Sequence, residues 1–104
     1  MKQITKRIPG QLFDKDSRML LSESTVSITL IDPQNPNDRP HYEASLTVDG
    51  YKPELDNKSH LLKLSNDLIG EIFISIDGIP GTQTRFKVHL QDTNWSNVEW
   101  FQKI

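Results

Sequence analysis

From residue 69 to residue 91 the chain alternates apolar and polar side chains on both sides of a Gly/Pro turn, and no other feature constrains its fold so sharply. Ile72, Ile74 and Ile76 precede the turn, and Phe86, Val88 and Leu90 follow it. A period of two is the mark of a strand with one face on the core and one in water. Proline presets the second position of a turn and glycine accepts a positive φ at the third, so Ile79-Pro80-Gly81-Thr82 reads as a type II turn. That turn sets Ile76 opposite Thr84, Ile74 opposite Phe86 and Ile72 opposite Val88. A slip of one residue would bury charges, so the register of this hairpin is expected to be well specified.

A second alternating pair lies upstream. Val26, Ile28 and Leu30 alternate with Ser27 and Thr29, and Tyr42, Ala44, Leu46 and Val48 alternate with Glu43, Ser45 and Thr47. The connection over residues 32–40 holds Pro33, Pro36 and Pro40 and no apolar side chain outside them, which makes it a surface loop. Leu62 and Leu64 form another inward pair before a turn at Ser65-Asn66-Asp67-Leu68. At the front, Ile4 and Ile8 suggest a strand, Pro9-Gly10 a break, and Gln11-Leu12-Phe13 and Arg18-Met19-Leu20 two short arms around the polar turn Asp14-Lys15-Asp16-Ser17.

The C-terminus carries two opposed signals. Ser96 and Glu99 make a capping box flanked by Trp95 and Trp100, a helix start. Few residues remain to build a helix, and Val98 with Trp100 reads equally as a last strand. Seven or eight short strands, with or without one C-terminal helical turn, imply an all-β fold, a small antiparallel barrel or sandwich. At 104 residues with 35% apolar and 25% charged side chains, the chain is expected to form a single compact β domain over residues 1–104. A core of that size leaves no room for a large internal ligand cavity.

Charge and composition narrow the chemistry. A formal charge of −2 with both signs interspersed argues against a dedicated binder of nucleic acid or anionic membrane. There is no cysteine, so disulfides and thiolate metal sites are excluded. His41, His60 and His89 fall on three different strands with no paired spacing, so no metal site is assigned and no cofactor is implied. The charged start Met1-Lys2-Gln3-Ile4-Thr5-Lys6-Arg7 lacks the apolar core of a secretory signal, and the expected location is the cytoplasm. The aspartates adjoin Gly, Asn or Ser in turns, where they serve local backbone bonds. No nucleophile elbow and no phosphate-cradling glycine loop is present, so catalysis is not expected.

Three surfaces remain as candidates. In the 32–40 loop, Asn35, Asn37, Asp38 and Arg39 are placed to meet a protein partner, since loops between rigid strands often carry recognition. The oxygen donors there suit calcium in type but lack the spacing of a calcium loop. Trp95 and Phe101, with Trp100, form an aromatic cluster that either closes one end of the barrel or anchors an interface. The outer face of the 69–91 hairpin sets Ser75 opposite Arg85, Phe73 opposite Lys87 and Glu71 opposite His89. These are sheet-stabilising cross-strand pairs, or else an OB-like platform for single-stranded nucleic acid made by Phe73, Arg85, Lys87 and His89. The leading expectation is a non-catalytic interaction module that binds a protein partner or its own copy through a sheet edge, the proline loop or the C-terminal aromatics. A small-ligand binder at a barrel mouth is the remaining alternative.

Overall fold

A computed structural model describes residues 2–65, 67–91, 95 and 101. Six strands, β1 (Lys2–Phe13), β2 (Leu20–Asp32), β3 (His41–Asp49), β4 (Lys58–Leu64), β5 (Ile69–Ile76) and β6 (Gln83–Leu90), close into a barrel in the order β1-β2-β3-β6-β5-β4. Every pairing is antiparallel. Around the barrel β4 lies beside β1, β1 beside β2 and β2 beside β3, which is the 4-1-2-3 order of a Greek key. The fold is therefore all-β as expected, and of the two architectures left open, barrel or sandwich, it is the barrel, with six strands among the described residues instead of seven or eight. Among the described residues no helix is long and apolar enough to cross a membrane.

The strand count falls because the front of the chain does not break at Pro9-Gly10. β1 runs through both residues, with Pro9 opposite Thr25 and Gly10 opposite Ser24 on β2. Proline cannot donate to a ladder, and it sits one residue before β1 gains its second neighbour at Gly10 opposite Leu64. Gly10 marks the corner where the sheet curls shut. A Cβ there would lie 2.8 Å from Val26 Cγ2 and 3.1 Å from Leu62 Cδ1, closer than real side chains pack.

Alternation works as the sequence implies. Leu12, Val26, Ile28, Leu46, Val48, Leu62, Leu64, Ile72, Ile74 and Phe86 fill the interior. The register of the 69–91 hairpin differs from the expectation by two residues, with Ile76 opposite Phe86, Ile74 opposite Val88 and Ile72 opposite Leu90. An even slip keeps every side chain on its face, so the hydrophobic pattern alone does not choose between the two registers. Tertiary bonds do. Thr84 pairs with Val48 of β3, and its Oγ1 donates to the Gly50 carbonyl at 2.6 Å while accepting from the Lys52 amide at 3.2 Å. In the loop Gly78 takes a positive φ, 88°, and Gly81 does not, so the expected type II turn, which needs a positive φ at Gly81, does not form.

Both barrel ends are filled. At one, the β3–β4 crossing makes a single 3-10 turn, Pro53–Leu55, that drives Leu55 into the core. At the other, Trp95 and Phe101 are each 2% exposed and belong to the same core. Both have helical and not extended backbone. The remaining residues of the two C-terminal readings, Ser96, Val98, Glu99 and Trp100 among them, lie outside the described residues.

Candidate functional site

Two outer surfaces stand out, and both follow from the strand geometry. The first is the tip of the β1–β2 hairpin. Asp14 Oδ1 accepts from the amides of Asp16 at 2.8 Å and Ser17 at 3.0 Å, and these two bonds hold the Asp14 carboxyl below the usual carboxylate range. The Asp14 amide donates to the Met19 carbonyl at 2.8 Å, and Arg18 takes a φ of 64° so that its amide reaches the Asp14 carbonyl at 2.9 Å. Lys15 reaches Glu71 of β5 at 3.6 Å, an exposed contact that helps place the tip over the sheet.

This braced turn presents Met19, Leu20 and Leu21, which are 68%, 50% and 36% exposed. The β1–β2 register shifts between Leu12 and Phe13, so that Ser22 opposes Leu12 while Leu20 opposes Phe13, leaving Leu21 as the extra residue of a bulge. β3 pairs with β2 only from Thr25 onward, so residues 20–24 have no β3 neighbour. The sequence pattern marks Arg18-Met19-Leu20 as a short arm of the turn but does not reveal the exposed run. The available signal was the loss of alternation at Met19-Leu20-Leu21, where three apolar residues follow one another.

The second surface is a concavity of about 740 Å³ on the outer face of β1, β2, β3 and β6. Ser27, Thr29, Ser45 and Thr47 give it a hydroxyl floor, with Thr5 Oγ1 2.8 Å from Thr29 Oγ1 at one side. Arg7, Arg85, Lys87 and His89 stand around it with Glu43 and Asp77. Arg85 Nε lies 3.8 Å from Asp77 Oδ2, an exposed pair of small energetic weight.

Three of the four residues assigned to a nucleic-acid platform, Arg85, Lys87 and His89, meet on this face. The fourth, Phe73, lies outside it on β5, and its ring centroid is 6.0 Å from that of His89. With the register shifted, Phe73 opposes His89 and Ser75 opposes Lys87, replacing the expected Phe73–Lys87 and Ser75–Arg85 pairs. The barrel is six-stranded and closed, unlike the five-stranded, partly open OB barrel.

The proline loop is held by its own side chains. Asp32 Oδ1 accepts from the Gln34 amide at 2.9 Å and Asn35 Oδ1 from the Asn37 amide at 3.0 Å, while the Asp38 amide donates to the Asn35 carbonyl at 3.0 Å. Asn35, Asn37, Asp38 and Arg39 are all exposed. Trp95 and Phe101 are not. Trp95 Nε1 donates to the Glu71 carbonyl at 3.0 Å, and Phe101 stacks at a tilt on Tyr42 with centroids 5.6 Å apart. Lys6 lies 4.7 Å over the Phe101 ring and its Nζ donates to the Phe101 carbonyl at 2.8 Å. Closure of the barrel, and not an exposed interface, is the role their positions describe.

His60 is buried with Nε2 donating to the Leu55 carbonyl at 3.0 Å, His89 is exposed on the outer face, and His41 is exposed at the start of β3. They do not converge. Among the described residues no three of His, Asp and Glu gather as a metal would need. The fold defines a six-stranded antiparallel Greek-key barrel with a filled interior. Set against known protein families, curated proteins and solved structures, the chain matches none.

Proposed function

We propose that this protein is a non-catalytic interaction module that offers the tip of its β1–β2 hairpin to a protein partner. The observation that carries the reading is the consecutive exposure of Met19, Leu20 and Leu21 on a turn braced by its own hydrogen bonds. Runs of exposed apolar residues are counter-selected unless they serve contact, and scattered single ones, such as Ile79 at 98% exposure, carry no such message. A preorganised turn loses little entropy on docking, which favours affinity from a small apolar patch. Of the three elements considered from the sequence, this reading keeps the sheet edge, because the C-terminal aromatics are committed to the core and the proline loop is polar. In it the module works in the cytoplasm and needs no cofactor.

The test is site-specific photo-crosslinking from position 19 in cells, with light scattering of the purified protein beside it. A discrete adduct is expected at position 19 and none from a probe at position 58 on β4, and Leu20→Asp abolishes the adduct without shifting the melting temperature. A dimer in light scattering that Leu20→Asp dissolves makes the partner a second copy. A monomer that yields no discrete adduct removes the reading.

A further inference from the structure

We propose that the concave face of β1, β2, β3 and β6 binds a tetrahedral oxyanion, a phosphate or sulfate group, between Arg7 and Lys87 and over the hydroxyls of Ser27 and Ser45. The registers set these four residues in one transverse row. Arg7 lies opposite Ser27, Ser27 opposite Ser45, and Ser45 opposite Lys87. All four have outward parity, since their neighbours Ile8, Val26, Ile28, Ala44, Leu46, Phe86 and Val88 point to the core. All four line the same concavity.

Three strand spacings separate the two ends of the row, about 14 Å between backbones. Arginine and lysine are the two long side chains of the row, and serine is short. The serines are half-buried and the cations exposed, so the row has a hydroxyl floor and a cationic rim on either side. Neither Arg7 nor Lys87 has an ion pair among the described residues, whereas Arg85 is already beside Asp77. The lining holds three permanent cations, Arg7, Arg85 and Lys87, against the two acids Glu43 and Asp77, on a chain whose net charge is −2. The surplus is local and positive.

Donors arrive here from three directions. A guanidinium fork supplies paired bonds from one rim, an ammonium a point charge from the other, and two hydroxyls donate from below. A tetrahedral group presents oxygens to all three at once, and a planar carboxylate does not. Nucleic acid fits less well, because the row contains no aromatic ring on which a base could stack, and Phe73 stands a strand away against His89. The same chemistry is offered by free phosphate or sulfate and by a phosphate or sulfate esterified to a side chain. The face is separate from the hairpin tip, so this inference stands or falls independently of the proposed partner contact.

The experiment is amide chemical-shift titration of the whole chain at matched ionic strength with sodium phosphate, sodium sulfate, a phosphoserine peptide, its serine counterpart, a single-stranded oligonucleotide and sodium chloride. Saturable shifts centred on residues 7, 27, 45 and 87 are expected with phosphate or sulfate, or with the phosphopeptide and not its serine counterpart. Tighter binding of the phosphopeptide than of phosphate assigns the group to a modified protein, and the reverse assigns a free anion. Arg7→Gln and Lys87→Gln each weaken binding about tenfold, the effect of losing one charge-assisted contact, and Arg85→Gln does less. Two independent variants keep the test intact if one of them fails to fold. Shifts no larger than those with chloride overturn the proposal. So does binding confined to the oligonucleotide and lost in Phe73→Ala.

Discussion

The two ends of the barrel are closed by opposite means. At the β3–β4 crossing, closure is built from directed polar bonds around one apolar plug. Leu55 enters the core, the His60 ring donates to its carbonyl, Thr84 bridges Gly50 and Lys52, and Asp56 Oδ1 accepts the Ile76 amide at 2.7 Å. At the far end, two large rings do most of the filling. Trp95 lies against Gly70 with its indole Nε1 donating to the Glu71 carbonyl, and Phe101 is clasped between Tyr42 and Lys6. Directed bonds fix the position of a short connecting segment whose apolar content is one leucine. Ring area instead recruits residues that follow the last strand, and Phe101 is 95 positions from the lysine it covers.

That contrast sets the scale of what each end should tolerate. Removing residues 94–104 deletes two buried rings, each worth about 3–5 kcal/mol in a core, which together rival the whole stability of about 5–10 kcal/mol expected for a domain of this size. Loss of the cooperative thermal transition is expected for that truncation. Leu55→Ala at the polar end costs about 2–4 kcal/mol and leaves a folded protein with a lower midpoint in urea. A truncated chain that still melts cooperatively would break the comparison.

A smaller change sharpens it. A Cβ at Gly70 would fall within the indole of Trp95, so Gly70→Ala overpacks the ring-filled end and destabilises by about 1–3 kcal/mol. In the Trp95→Ala background the added methyl meets empty space, and the double-mutant cycle should show that penalty vanish. Additive losses in urea unfolding would mean that the two residues are not in contact.

The smallest expected effect separates the ends by pH. Burial pushes the Tyr42 phenol above its ordinary value of about 10, so the folded state favours the neutral form. Its contribution is complete below the unfolded value and is lost as pH rises above it through the folded one. Tyr42→Phe should flatten the alkaline part of the stability profile, measured by urea midpoints across pH 8–11, by a fraction of the ring-deletion effects. An unchanged alkaline slope would assign it to other groups.

Alternation made most of the fold legible in the residues themselves. The inward faces of Ile72 and Ile74, Phe86 and Val88, Val26 and Ile28, and Leu46 and Val48 follow from a period of two and the need to bury branched side chains. Local chemistry misled where long-range packing overruled it. Pro9-Gly10 looks like a break, yet the strand passes through because proline falls at a half-open edge and glycine at a corner too tight for a Cβ. Pro80-Gly81 looks like the turn centre, yet Thr84 is claimed by β3 and the Gly50 carbonyl, and the register moves by two.

The candidate surfaces were legible only in part. Arg85, Lys87 and His89 share a face by parity within one strand, which sequence supplies. Arg7, Ser27 and Ser45 join them only through three strand pairings, one of which, β3 with β6, is between strands far apart along the chain. Sequence determined which residues face inward, because that depends on spacing along one strand. Strand order, register and the assembly of the oxyanion row were decided by the closed barrel, because those depend on which backbones satisfy one another across it.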